Sequence, residues 1–208
     1  LSEGAGRELS FEELKEHPIF HWGPRACRAT GTEHPAQQRA AEQEYMEMLN
    51  ALETQLGSTR YALGDRPSAA DTIILGGLRA HTNADPIPDL SGYTRVLEWE
   101  AQCENGWDGK GELASFPKST PFAQHMLELT RDEYTKFVSS NAKALAAGDK
   151  VFQIETYGET TTYLAREYPE RSRRILQNHA FDPLSNQERE QVRAWLETKR
   201  LTDIIIEK

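Results

Sequence analysis

The sequence predicts a mainly α-helical fold: a helical bundle followed by a C-terminal extension whose pattern admits a small β-hairpin. Three observations carry that prediction. Between Pro35 and Leu56 the apolar side chains recur at intervals of three and four, the period of one helix face. A nearly all-apolar run, Thr72 to Leu78, follows directly on a helix-capping sequence. Ser/Thr-x-x-Glu/Asp boxes at Ser10, Ser68, Thr130 and Ser185 mark four helix starts. The composition agrees, since 208 residues with 38% hydrophobic and 27% charged are enough to bury a core and too apolar for wholesale disorder.

The elements follow in order. Residues 1–34 are irregular in pattern and read as an N-terminal segment packing on the bundle, with one helix interrupted near Pro18 and apolar positions at Phe11, Leu14, Ile19 and Trp22. The helix from about Pro35 to Leu56 buries Ala41, Tyr45, Met48, Leu49, Leu52 and Leu56. Its proline suits the first turn, and Gly57 suits its stop. In the next helix Ser68 is expected to accept from the Asp71 N–H while the Asp71 carboxylate accepts from the Ser68 N–H. Being apolar on nearly every side, this helix is expected in the middle of the bundle, with Gly76 and Gly77 letting neighbours approach closely and Asn83 and Pro86 stopping it. A fourth helix, about Ser91 to Cys103, places Tyr93, Leu97 and Ala101 on one face and ends the 35–103 bundle. Residues 104–121, with three glycines and two prolines, read as a linker.

The extension, 122–208, begins with a helix started by Ser119-Thr120-Pro121, and the Thr130–Glu133 box starts another that ends at Gly148. Alternation over 151–164 around a Gly158-Glu159 turn reads as a β-hairpin. Two short helices close the chain, one after Pro169 and one from Ser185.

The Leu63-Gly64-Asp65-Arg66-Pro67-Ser68-Ala69-Ala70-Asp71 stretch resembles the one that opens the central helix of the glutathione transferase C-terminal domain. The helix ahead of it, Tyr61, and the apolar helix behind it are also similar to that family, so the resemblance covers about residues 35–103. Residues 104–208 resemble a long C-terminal extension found on some bacterial members. The resemblance implies that Asp71 is a buried capping aspartate with Ser68 its partner, both structural, and that the helical domain forms the wall for a small apolar electrophile. Glutathione is implied for the full-length protein, bound on a thioredoxin-like domain that precedes the helical one and carries the thiol-activating residue. No βαβ pattern precedes residue 35, so this chain is expected to hold no catalytic residue and no cofactor of its own, and to be inactive alone. The start, without an initiator Met or the basic and apolar regions of a signal peptide, reads as a piece of something longer or a processed chain. A homodimer is the family's habit. The alternative is a non-catalytic binding or scaffolding module.

Net charge of −9 disfavours nucleic acid and anionic membrane as partners, and no apolar stretch approaches the roughly 18 residues of a membrane span. Cys27 and Cys103 form no paired framework, which fits reduced thiols in a cytoplasmic protein. The candidate ligand-binding residues are His21, Trp22, Arg25 and Arg28, a cationic and aromatic cluster suited to an acidic, apolar ligand by stacking and charge pairing. The opposing expectation packs Trp22 in the core and turns the arginines to water. Cys27 between arginines reads as a buried, inert thiol rather than a reactive one. His17 and His21 have the spacing of a zinc pair, but Pro18 breaks their helix and no third ligand has motif spacing, so no metal is expected. Arg166, Arg171, Arg173 and Arg174 read as a helix face paired with Glu167 and Glu170 rather than an anion site. Gly106 to Gly111 matches no phosphate-binding pattern.

Overall fold

The computed structural model describes residues 7–80, 82–84, 89–102 and 106–205. Its elements are α1 (Phe11–Glu16), α2 (Pro18–Thr30), α3 (Pro35–Leu56), α4 (Ala69–Ala80), α5 (Thr94–Gln102) and α6 (Pro121–Ala147). The antiparallel strands β1 (Val151–Thr156) and β2 (Glu159–Leu164) follow, then α7 (Glu167–Leu176) and α8 (Asn186–Lys199). The fold is mainly α with one two-stranded sheet among the described residues. No helix among them is long and apolar enough to cross a membrane.

The core gathers Leu49 and Leu52 of α3, Tyr61 and Ala62 of the following turn, Leu78 of α4, Val96 and Trp99 of α5, and Phe122 of α6. Tyr45, Met48 and Leu56 pack against it half-buried, so the apolar stripe of α3 faces the core as its spacing requires. Helix α3 also supplies caps to its neighbours. The Glu53 carboxylate accepts from the backbone N–H of Arg95 and of Val96 at 3.2 and 3.0 Å, where α5 starts. Gln55 Oε1 accepts from Phe122 N at 3.2 Å, where α6 starts. Donors that a helix start leaves unpaired are thus satisfied from another element.

Several expectations need correction. Helix α4 is not enclosed: Asp71 and Leu78 are buried, whereas Ile73 is 74% exposed, and Gly76 and Gly77 have no atom within 4 Å of where a Cβ would stand. An apolar run satisfies a half-buried position as well as a central one. On α5 the buried pair is Val96 and Trp99, with Leu97 and Ala101 facing outward, because the helix begins after Tyr93 and its inner face follows the 96/99 spacing. The Thr130–Glu133 box starts no helix. Helix α6 runs unbroken for 27 residues, and Thr130 Oγ1 donates to the Met126 carbonyl one turn back. Finally, α2 occupies 18–30, much of the stretch read as irregular, with Pro18 at its first position. Cys103 and Pro86 lie outside the described residues.

The hairpin stands at the far end of α6. Its turn is Tyr157-Gly158, with φ of 53° and 78°, one residue earlier than the pattern suggested and of the kind that matches strand twist. Phe152 and Tyr163 sit directly opposite in register and stack at 5.6 Å, and Phe137 of α6 meets both at 5.7 and 5.2 Å. Helix α2 packs against β2, where Gly31 leaves room for the Tyr163 ring: a Cβ on Gly31 would fall 2.2 Å from Tyr163 Cζ. Gln37 of α3 donates to Thr161 at 3.1 Å, and Tyr157 donates to Glu44 at 2.6 Å, tying the hairpin to α3. Asn141 receives the Arg166 N–H at 2.8 Å and donates to the Arg166 carbonyl at 3.0 Å, fixing the entry to α7. Helix α7 starts at Glu167, ahead of Pro169.

Candidate functional site

The site begins at the turn between α3 and α4. Asp71, buried on the first turn of α4, accepts at one oxygen from Ala62 N at 2.9 Å. Its other oxygen accepts from Ser68 N at 2.8 Å and from Ser68 Oγ at 2.7 Å. The expected back-bond from the Asp71 N–H to Ser68 is replaced: the serine hydroxyl donates to the carboxylate. Thr120 Oγ1 donates to the Ala62 carbonyl at 2.8 Å, so the start of α6 is fastened to the same turn.

Segment 106–118, helix-free, is fastened to this turn. Asp65 N donates to the Glu112 carbonyl at 2.8 Å and Ala114 N to the Leu63 carbonyl at 2.9 Å. Gly111 sits at φ 99°, and a Cβ there would meet the Asp65 carbonyl oxygen at 2.3 Å, so the approach requires glycine. Arg60 pairs with Asp108 at 3.0 Å, and Arg66 lies over the Trp107 ring at 5.3 Å. The Lys110 backbone N–H, then Arg60, hold the Asp108 carboxyl below the usual carboxylate range.

Between α4, this segment and α6 lies a cavity of about 530 Å³. Met48, Leu63, Ala70, Ile73 and Ile74 form one wall. Leu113, Phe116 and Pro117 form the second, and Phe122, Ala123, Met126 and Leu127 the third. Trp195 of α8 reaches in and meets the Phe116 ring edge-on at 5.6 Å. The lining is almost wholly apolar, and the two methionines can adapt to different shapes.

None of His21, Trp22, Arg25 and Arg28 lines this cavity. They lie on α2, where Trp22 is 65% exposed rather than packed in the core. His21 and Arg25 face solvent, and Arg28 pairs with Glu33 at 2.9 Å. Cys27 is half-buried. Among the described residues, no group of three or more His, Cys, Asp or Glu side chains is placed to hold a metal, and His17 and His21 gain no third ligand. Glu170 takes both Arg173, at 2.8 Å, and Arg174, at 2.7 Å. Burial pushes its carboxyl up, but these hydrogen bonds outweigh that and hold it below the ordinary range. The apolar residues Leu113 and Phe116 within a glycine-rich stretch were the sequence signal for the cavity. A linker exposed on both sides has little use for them.

Residues 35–101 match the family model described as glutathione S-transferase, C-terminal domain. This segment is a glutathione S-transferase C-terminal domain. A search of curated proteins finds no match, and neither does a search of solved structures. Within the glutathione S-transferase domain, Asp71 and Ser68 occupy the helix-opening positions, and α3 and α4 supply one wall of the cavity. The other walls, from Leu113 to Trp195, come from beyond the matched segment.

Proposed function

We propose that the cavity between α4 and α6 receives the apolar, electrophilic co-substrate of a glutathione S-transferase-like protein. Glutathione is held and its thiol activated on a thioredoxin-like domain. The observation that carries this reading is the cavity itself. Its 530 Å³ lies in the range of about 300–1,000 Å³ typical of small-molecule sites, and its apolar walls strip water from a ligand. In that role the helical domain contributes orientation and desolvation, and the attacking thiolate comes from glutathione. The matched family supports this division of labour.

The reading is tested by calorimetric titration of the 208-residue chain with naphthalene, a neutral arene that fits such a cavity. Binding is expected in wild type and is expected to vanish in Met126→Trp, whose ring fills the space, with helix content unchanged by circular dichroism. A wild type that does not bind the arene sinks the reading. Conjugation of glutathione by this chain alone is expected to be undetectable, and measurable turnover would show that the thiol is activated here.

A second reading, a non-catalytic binding or scaffolding module, is favoured by the outer face of α4. There Gly76 and Gly77 are exposed, with open space where a Cβ would stand, next to Ile73, which is 74% exposed at the mouth of the cavity. A homodimer fits either reading and is checked by sedimentation.

A further inference from the structure

Every wall of the cavity is apolar, yet four polar residues are among those that line it: Lys118, Ser119, Thr120 and Thr130. Two of these are already engaged. Thr120 Oγ1 donates to the Ala62 carbonyl and accepts from Ala123 N at 3.2 Å, and Thr130 Oγ1 donates to the Met126 carbonyl at 2.8 Å. The Lys118 ammonium and the Ser119 hydroxyl, adjacent in the chain, have no hydrogen-bond or ion-pair partner among the described residues. Lys118 alone among the described lining residues carries a charge, and its side chain faces solvent, which puts the ammonium at the rim.

Several other cations are paired: Arg60 takes Asp108, Arg95 takes Glu53, and Lys136 takes Glu133, in a chain where 33 acidic residues outnumber 24 basic ones. The nearest buried carboxylate of the site, Asp71, is fully used by Ala62 and Ser68 and does not line the cavity. An unpaired ammonium and an unpaired hydroxyl on two consecutive lining residues of an apolar cavity complement a ligand with an apolar body and one anionic group.

Resting on the reading of the cavity as a ligand site, we infer that it selects apolar carboxylates, or equivalent monoanions, over neutral molecules of the same shape. Lys118 and Ser119 hold the anionic group at the rim. The apolar body displaces water from the walls and lowers the local dielectric, which strengthens the pairing with Lys118, while the flexible lysine stem keeps its own charge hydrated. The net charge of −9 repels anions from the surface at large, so a preference for an anion must come from this local group.

The test titrates the whole chain by calorimetry with naphthalene-2-carboxylate and with its methyl ester, in wild type and in Lys118→Met. In wild type at low salt the carboxylate should bind about tenfold tighter than the ester, the scale of one charge-assisted hydrogen bond. The preference should shrink in about 0.5 M salt, where the screening length is only a few Å. In Lys118→Met the two affinities should converge, with the ester unchanged. An ester that binds wild type as well as the carboxylate overturns the inference and leaves the cavity reading intact. So does a preference that survives Lys118→Met. Failure of both ligands to bind wild type overturns the cavity reading instead.

Discussion

Asp71 shows how much one side chain can hold in place. Its two oxygens take three donors, Ala62 N, Ser68 N and Ser68 Oγ, so that a single carboxylate closes the turn between α3 and α4 and caps the helix that follows. Removing it leaves buried N–H groups without partners, which costs more than a surface cap. Asp71→Ala should lower the unfolding free energy by about 3 kcal/mol in a urea titration, and Asp71→Asn, which keeps an acceptor, by about half of that. This arrangement was legible in the sequence because Ser68 and Asp71 lie within one turn of each other. The contact between Gly31 and Tyr163 was not, since nothing near either residue announces the other. For the same reason the charge and ring of the His21–Arg28 stretch attracted attention on sequence while the Lys118–Ser119 pair did not. Lys118 becomes distinctive only when the walls around it are seen to be apolar.

At the scale of elements, the same four-residue signature appears in two settings with different meanings. Ser185 and Glu188 form a reciprocal box at the start of α8, with Ser185 Oγ accepting from Glu188 N at 3.3 Å and the Glu188 carboxylate accepting from Ser185 N at 2.8 Å. Thr130 and Glu133 have the spacing but lie inside α6, where every N–H already has a helical partner. Ser185→Ala should therefore cost about 1 kcal/mol in thermal or urea unfolding, and Thr130→Ala no more than a few tenths. Equal losses would mean that α6 is two helices. Helices with a sustained apolar period, α3 above all, were readable from the chain alone. The continuity of α6 was not, because whether a threonine caps or back-bonds depends on the residues packed around it.

For the molecule as a whole, Glu170 and Tyr157 contribute at opposite edges of the range of stability. Glu170, held below the ordinary carboxylate range by Arg173 and Arg174, contributes stability that is present above its unfolded pKa near 4.3. That contribution is lost as the pH falls through its folded value. Tyr157 is raised, by burial and by its bond to Glu44, so its contribution is complete below an unfolded pKa near 10 and disappears as the pH rises beyond it. The urea midpoint should accordingly fall on both sides. Glu170→Gln should reduce the loss on the acid side alone and Tyr157→Phe that on the alkaline side alone. The helical fold, the hairpin and the matched segment were legible because each is written in local pattern. The cavity was not: its walls come from α3, α4, the 113–118 segment, α6 and α8, and only the folded chain brings them together.

The bare outer face of α4 bears on how this sequence can change. Glycine in a helix interior costs about 1 kcal/mol relative to alanine, and at Gly76 and Gly77 nothing within 4 Å would oppose the added methyl. Gly76→Ala with Gly77→Ala should yield a more heat-resistant protein, by about 2 kcal/mol, with no rearrangement elsewhere. If another surface closes against that face, the same two methyls would hold it away, so selection for heat resistance and selection for assembly would pull these two positions in opposite directions.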